Sequence, residues 1–224
     1  MAKLEWDATG ERYFENGTDR GVLYPQDTTG KYTAGVAWNG LTGVTESPSG
    51  GDPTDLWADN MKYATMRAAE KFGGTIEAYT YPDEFEACDG SATLATGVSI
   101  NGQSRKPFGF CYRTNVSNDL GIDAYKLHLV YGCTASPSER AYTTVNDSPD
   151  AITMSWEFEA TPVNVDGFKP TSVLTIDSTE ADKEKLAALE AILYGTETEE
   201  AKLPLPDEVK AVLSGTASVS EVEG

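Results

Sequence analysis

Alternation of apolar and polar side chains at period two is the tightest limit on how this chain can fold. Across 151–161, Ile152, Met154, Trp156 and Phe158 fall on one side of an extended segment, and Thr153, Ser155, Glu157 and Glu159 on the other. Segment 125–133 repeats the pattern, with Tyr125, Leu127, Leu129, Tyr131 and Cys133 opposite Lys126 and His128. In 107–114, Phe108, Phe110 and Tyr112 alternate with Gly109, Cys111 and Arg113. This period belongs to a strand with one buried face; a helix would need 3.6. Further strands are predicted over 74–81, 20–24, 34–38, 60–67 and 172–176. Turn residues separate them at Lys71–Gly74, Asn118–Gly121 and Asn146–Pro149. Few helices intervene, so the strands pair antiparallel. The predicted fold is mainly β, a β-sandwich or barrel of antiparallel strands with flanking helices.

The helices gather at the end. Thr179–Tyr194 carries Leu186, Leu189, Ile192 and Leu193 on one stripe, with Gly195 as a stop. A second helix begins at Pro206, with Asp207 and Glu208 in its first turn and Gly215 beyond it. One further helical turn is expected within Pro82–Cys88. The chain therefore divides into a β domain over 1–176 and an acidic helical segment over 177–224 with a frayed end. The latter holds 12 acids and 4 bases, a net of -8.

Charge excludes several function classes. With 36 Asp and Glu against 17 Lys and Arg, the 224-residue chain carries a formal -19. Sequence-specific nucleic-acid binding relies on cations that neutralise phosphates, and an anionic membrane surface demands the same. No apolar run reaches the roughly 18 residues of a membrane span. Met1–Asp7 lacks an apolar core, so no signal peptide is expected. Three cysteines at wide spacing suit reduced, packed thiols. In that setting the Asn-x-Ser/Thr triplets at Asn16, Asn115 and Asn146 are not glycosylation sites.

No catalytic constellation emerges. Cys88, Cys111, His128 and Cys133 could be counted as a zinc set, but their spacings of 23, 17 and 5 lack the paired knuckles of structural zinc. The strand register also places His128 opposite Cys133. Pro25–Tyr32 resembles a P-loop only faintly, with Pro in place of the first Gly and Tyr in place of the metal-binding hydroxyl. It is better read as a turn. Glu157 with Glu159, or Glu84 with Glu86, have the separation a glycosidase pair needs. As alternate residues they describe a solvated strand face, and no enzyme activity, metal or cofactor is expected.

The longest stretch without a secondary-structure signal is 39–56, rich in Gly, Ser, Thr, Pro and Asp. Long loops of this kind are usually functional. Trp38, Leu41, Val44, Leu56 and Trp57 lie along it, which suggests an arm that docks onto a neighbour. Deleting 42–53 is then expected to leave a folded protein.

The order of segments resembles a known family. Val36–Thr42, Val44–Gly50 and Ala58–Tyr63 come first, followed by Glu70–Phe85 and Phe108–Thr114. Tyr125–Gly132 and Asn146–Pro149 complete the series. Over residues 1–176 this series is similar to the major tail proteins, or tail tube proteins, of long non-contractile-tailed bacteriophages and prophages of Gram-positive bacteria. The resemblance implies a virion protein, made in the host bacterial cytoplasm, that forms homohexameric rings stacked into a tube. It also implies the tape-measure protein and the tail terminator and baseplate proteins as partners, with genomic DNA passing through unbound. Glu77, Glu157 and Glu159 are then candidates for a lumen wall. Two other classes remain open: a capsid decoration or baseplate component, and a carbohydrate-binding β-sandwich that uses the 11 tyrosines and 4 tryptophans.

Overall fold

The computed structural model describes residues 3–145 and 150–216. The turn expected at Asn146–Pro149 and most of the frayed end lie outside the described residues. The chain begins with β1 (Tyr13–Pro25), β2 (Val36–Ala37), β3 (Leu41–Glu46) and β4 (Ser49–Gly50). Then come β5 (Pro53–Ala58), β6 (Met61–Arg67) and β7 (Glu70–Ala78). A 3-10 turn (Asp83–Phe85) leads into α1 (Glu86–Asp89), followed by β8 (Ala92–Ala95) and β9 (Val98–Ile100). The long strands β10 (Phe108–Asn118) and β11 (Ala124–Ala135) precede β12 (Met154–Ala160) and β13 (Val173–Asp177). Helices α2 (Lys183–Tyr194) and α3 (Pro206–Ser214) close the fold.

All the strand pairings are antiparallel. The main sheet runs β2-β1-β10-β11-β12-β7-β3, and β11 is where it divides. Lys126–Val130 of β11 pairs with β13, whereas Cys133–Ala135 pairs with β12. The result is two layers sharing one strand: β1, β10, β11 and β13 in one, β12, β7 and β3 in the other.

Each face of the first layer is buried, in a different core. On one side Val22, Tyr24, Cys111, Leu127, Leu129, Tyr131 and Ile176 meet Leu186, Leu189, Ile192 and Leu193 of α2, with Val209 and Val212 of α3. On the other, Leu23, Phe108, Phe110, Val130 and Cys133 meet Ile76, Trp156 and Phe158 of the second layer. Trp38 and Phe85 plug that second core, their ring centroids 4.6 Å apart, and each also packs edge-on against Trp156. The alternation in β12 holds as expected, with Trp156 and Phe158 buried and Glu157 and Glu159 exposed. In β10 and β11 the face opposite the aromatics is also covered, because the helices lie on it.

Four expectations need correction, the simplest being the turn expected at Lys71–Gly74, which lies within the continuous strand β7. Residues 39–56 are not structureless: Leu41–Glu46 pairs with β7, and Ser49–Gly50 pairs with Glu70–Lys71. Leu41 and Val44 pack against the second core, and this tertiary pairing overrides the low strand propensity of the surrounding Gly and Ser. Deleting 42–53 would therefore remove most of a sheet strand. Third, Cys133 lies on the same side of β11 as His128, because Gly132, at φ 61°, takes up a bulge after Tyr131. Fourth, α2 starts at Lys183 and not at Thr179. Asp177 accepts hydrogen bonds from the Thr179 N–H and hydroxyl, forming a turn, and Asp182 then caps the helix through Glu184 N and Lys185 N.

Phe85 is fully buried at the centre of the aromatic cluster. Phe85→Ala is expected to lower stability by about 3–5 kcal/mol, measured by urea denaturation at neutral pH.

Candidate functional site

Two surface features and one partly buried polar cluster stand apart from the core. The first feature is the outer face of β12, β7 and β3. Register places Glu77 between Ser155 and Gly43, and Thr75 between Glu157 and Thr45. Glu159 stands between Gly73 and Thr134. The three predicted acids thus share one face, surrounded by Gly, Ser and Thr, with Lys71 at its end by strand parity. Glu77, Glu157 and Glu159 are all exposed. The helices cover the far side of the first layer, so this acidic face is the surface of the sandwich turned away from them.

The second feature is the hairpin β5–β6, which among the described residues pairs only with itself. Its two-residue turn, Asp59–Asn60, has φ of 50° and 61°, the geometry that closes a twisted hairpin. Pairing places Leu56 opposite Ala64, Thr54 opposite Met66 and Ala58 opposite Met61. These six share one uncharged face. The other face holds Trp57 opposite Lys62 and Asp55 opposite Thr65, with Lys62 Nζ 2.8 Å from Asp55 Oδ1. Leu56, Trp57, Met61, Tyr63 and Met66 are 41%, 68%, 70%, 78% and 59% exposed. An isolated two-stranded hairpin is marginal in water, and apolar side chains this exposed call for a covering partner.

The predicted docking residues therefore separate. Trp38 is buried, its indole N–H donating to the Thr80 carbonyl at 3.0 Å, and Leu41 and Val44 support the same core. Leu56 and Trp57 lie on the exposed hairpin. Met61, Tyr63 and Met66 were not among the docking candidates. The signal for them was the Asp-Asn turn between two alternating runs, which marks a hairpin and not a loop.

The polar cluster joins β3 to the first layer. Glu46, at the end of β3, accepts from the Tyr112 hydroxyl, and its Oε1 lies 3.5 Å from His128 Nδ1. Tyr112 and His128 stack in parallel at 4.6 Å, and Thr114 Oγ1 is 3.0 Å from His128 Nε2. Glu15 reaches the same cluster through Thr114 and Lys126. Burial lowers the His128 pKa, opposed by the Glu46 and Glu15 carboxylates. The end of β3 is thus tied to the first layer through the Glu46 carboxylate.

The remaining candidates are dispersed. Cys111 lies in the core beneath the helices, while Cys88 and Cys133 lie in the other core across the sheet. Burial pushes the Cys88 and Cys111 thiols up to about 12. Within Pro25–Tyr32, Asp27 Oδ1 accepts from Thr29 N at 2.8 Å and Lys31 N at 2.9 Å, forming a compact turn. Glu84 is exposed, and Glu86 accepts from the Thr93 hydroxyl at 3.3 Å.

No family model and no curated protein matches the chain. Solved structures similar to it include the following three. A chain from the sheath/tube terminator of an extracellular contractile injection system, PVC, is 11% identical, with a TM-score of 0.34, covering 78% of this chain and 99% of that one. The tube-terminating cap of the anti-feeding prophage is 10% identical, with a TM-score of 0.34, covering 80% and 96%. A chain from the PVC sheath–tube complex is 12% identical, with a TM-score of 0.31, covering 70% and 88%.

Because its folded-state pKa is lowered, His128 favours the neutral form, and that contribution is present above the ordinary imidazole value and lost as pH falls through it. Urea midpoints at pH 7.5 and pH 5.5 are expected to fall further for the wild type than for His128→Gln.

Proposed function

We propose that this chain is a structural tail protein that polymerises into the tail tube of a long-tailed phage or prophage, six copies to a ring. The observation that carries the proposal is the hairpin β5–β6, whose uncharged face has no cover among the described residues. A neighbouring subunit or the next ring would provide that cover. The resemblance of the segment series over 1–176 supplies the tube and its partners, the tape-measure, terminator and baseplate proteins.

The acidic face fits the same reading. Glu77, Glu157 and Glu159 on a sheet of small polar residues form a wall that repels phosphate and offers it little to hydrogen-bond. Six copies carry a formal -114, from -19 each. At physiological salt this repulsion extends about 8 Å, enough to keep DNA from sticking without halting its passage. With the helices on the opposite side, this face lines the lumen and α2 and α3 face outward.

Two tests separate the parts of the proposal. Replacing Thr54–Met66 by a short Asn-Gly turn removes the hairpin and leaves both cores intact. Circular dichroism should then show a folded protein, and negative-stain microscopy should show no long tubes. Tubes of normal length from that variant would sink the hairpin's role. Separately, Glu157→Lys with Glu159→Lys is expected to leave tubes intact and raise their retention of short DNA in a filter assay at 0.15 M salt. Unchanged retention would contradict the lumen assignment.

A further inference from the structure

Beside α1, a pocket of about 550 Å³ opens between Asp89, the loop that carries Asn101 and Arg105, and the segment with Ser138 and Arg140, and Trp156 lines it. Its two guanidinium groups differ. Arg140 Nη2 donates to Asp89 Oδ2 at 2.8 Å, and that carboxylate is only 6% exposed, so one positive charge is matched in place. Asp89 also accepts from Ser91 N at 2.9 Å. Arg105 has no ion pair or hydrogen bond among the described residues, and its Nε is buried without an acceptor. Gly90, at φ 84°, leaves room for it: a Cβ there would lie 3.2 Å from Arg105 Cζ. Trp156 is 2% exposed, and its Nε1 is also buried without an acceptor among the described residues.

A buried donor left unpaired costs about 1–3 kcal/mol, and native folds rarely retain two of them lining one pocket unless something completes the set. The missing group is an acceptor, and the unmatched charge makes it an anion. A carboxylate fits the planar fork of a guanidinium with two parallel hydrogen bonds. Polyphosphate is disfavoured, because a chain at -19 repels it over the rest of its surface. Carboxylates are what a second copy has in excess, with 36 acids to 17 bases. Copies that associate at this charge also need cations at their contacts.

We infer that this pocket receives a carboxylate side chain from a second copy of the chain, with Arg105 as its principal contact. The carboxylate class follows from the pocket alone; its source in a second copy rests on the assembly reading above.

The test uses the full chain and, as a probe, a synthetic peptide of its own exposed acidic segment, Gly195–Ala201. In a ¹H–¹⁵N spectrum, the Trp156 indole and Arg105 Nε resonances should shift saturably with the peptide. Affinity should fall about 10- to 100-fold in Arg105→Ala, the loss expected for one charged hydrogen-bond partner. Rings counted by electron microscopy should disappear in Arg105→Glu and persist in Arg105→Lys, with thermal melting showing that both are folded. No shift with the peptide, or a shift with inorganic phosphate alone, would overturn the carboxylate assignment. Peptide binding with unchanged rings in Arg105→Glu would overturn the second copy as its source. Peptide binding by a wild-type chain that never forms rings would count against the assembly reading and leave the pocket's chemistry in place.

Discussion

The rest of this structure depends on the burial of β10 and β11 on both faces. A sheet covered on one side could stand alone as half a sandwich. Here Phe108, Phe110 and Val130 commit one face to the second sheet layer, while Cys111, Leu127, Leu129 and Tyr131 commit the other to the helices. Tyr24 and Tyr131 place their hydroxyls against the Leu193 and Pro204 carbonyls at 2.6 and 2.9 Å, so the helical segment is tied to the sheet by polar contacts as well as packing. Residues 177–216 are therefore integral to the fold, and the acidic face is left as the outer side of the layer furthest from them.

That layering gives the molecule two unlike surfaces. The face with Glu77, Glu157 and Glu159 is acidic and dominated by small polar residues, suited to exclusion. The hairpin β5–β6 has one uncharged face on which Leu56, Met61 and Met66 are exposed, suited to contact. Glu46 connects them physically: it ends β3 at the edge of the acidic face, binds Tyr112 and His128, and begins the segment that becomes the hairpin. Glu46 and the β4–β7 pairing after it together hold the chain where the hairpin leaves the body.

Much of this was legible in the sequence, and the gaps have physical causes. Strands with one exposed face, β12 above all, show their alternation plainly. The helix at Pro206 was bounded correctly because Pro at its start and Gly at its end are strong punctuation. Residues 39–56 misled because strand formation there comes from pairing with β7, which a local pattern of Gly, Ser and Thr does not announce. The bulge at Gly132 shifted Cys133 to the other core, and a one-residue slip always exchanges faces. For the site, Glu157 and Glu159 could be paired from the alternation alone, but Glu77 joins them only through the β7–β12 register. The Arg105 pocket left no trace in the sequence, since it unites residues from four separate segments.

The most direct measurement of the central claim is electron microscopy of the purified chain across a concentration series. The account predicts rings at low concentration that lengthen into hollow tubes of uniform diameter as concentration rises. Dispersed single chains at every concentration, with the hairpin's Trp57 and Met61 still open to solvent, would contradict it.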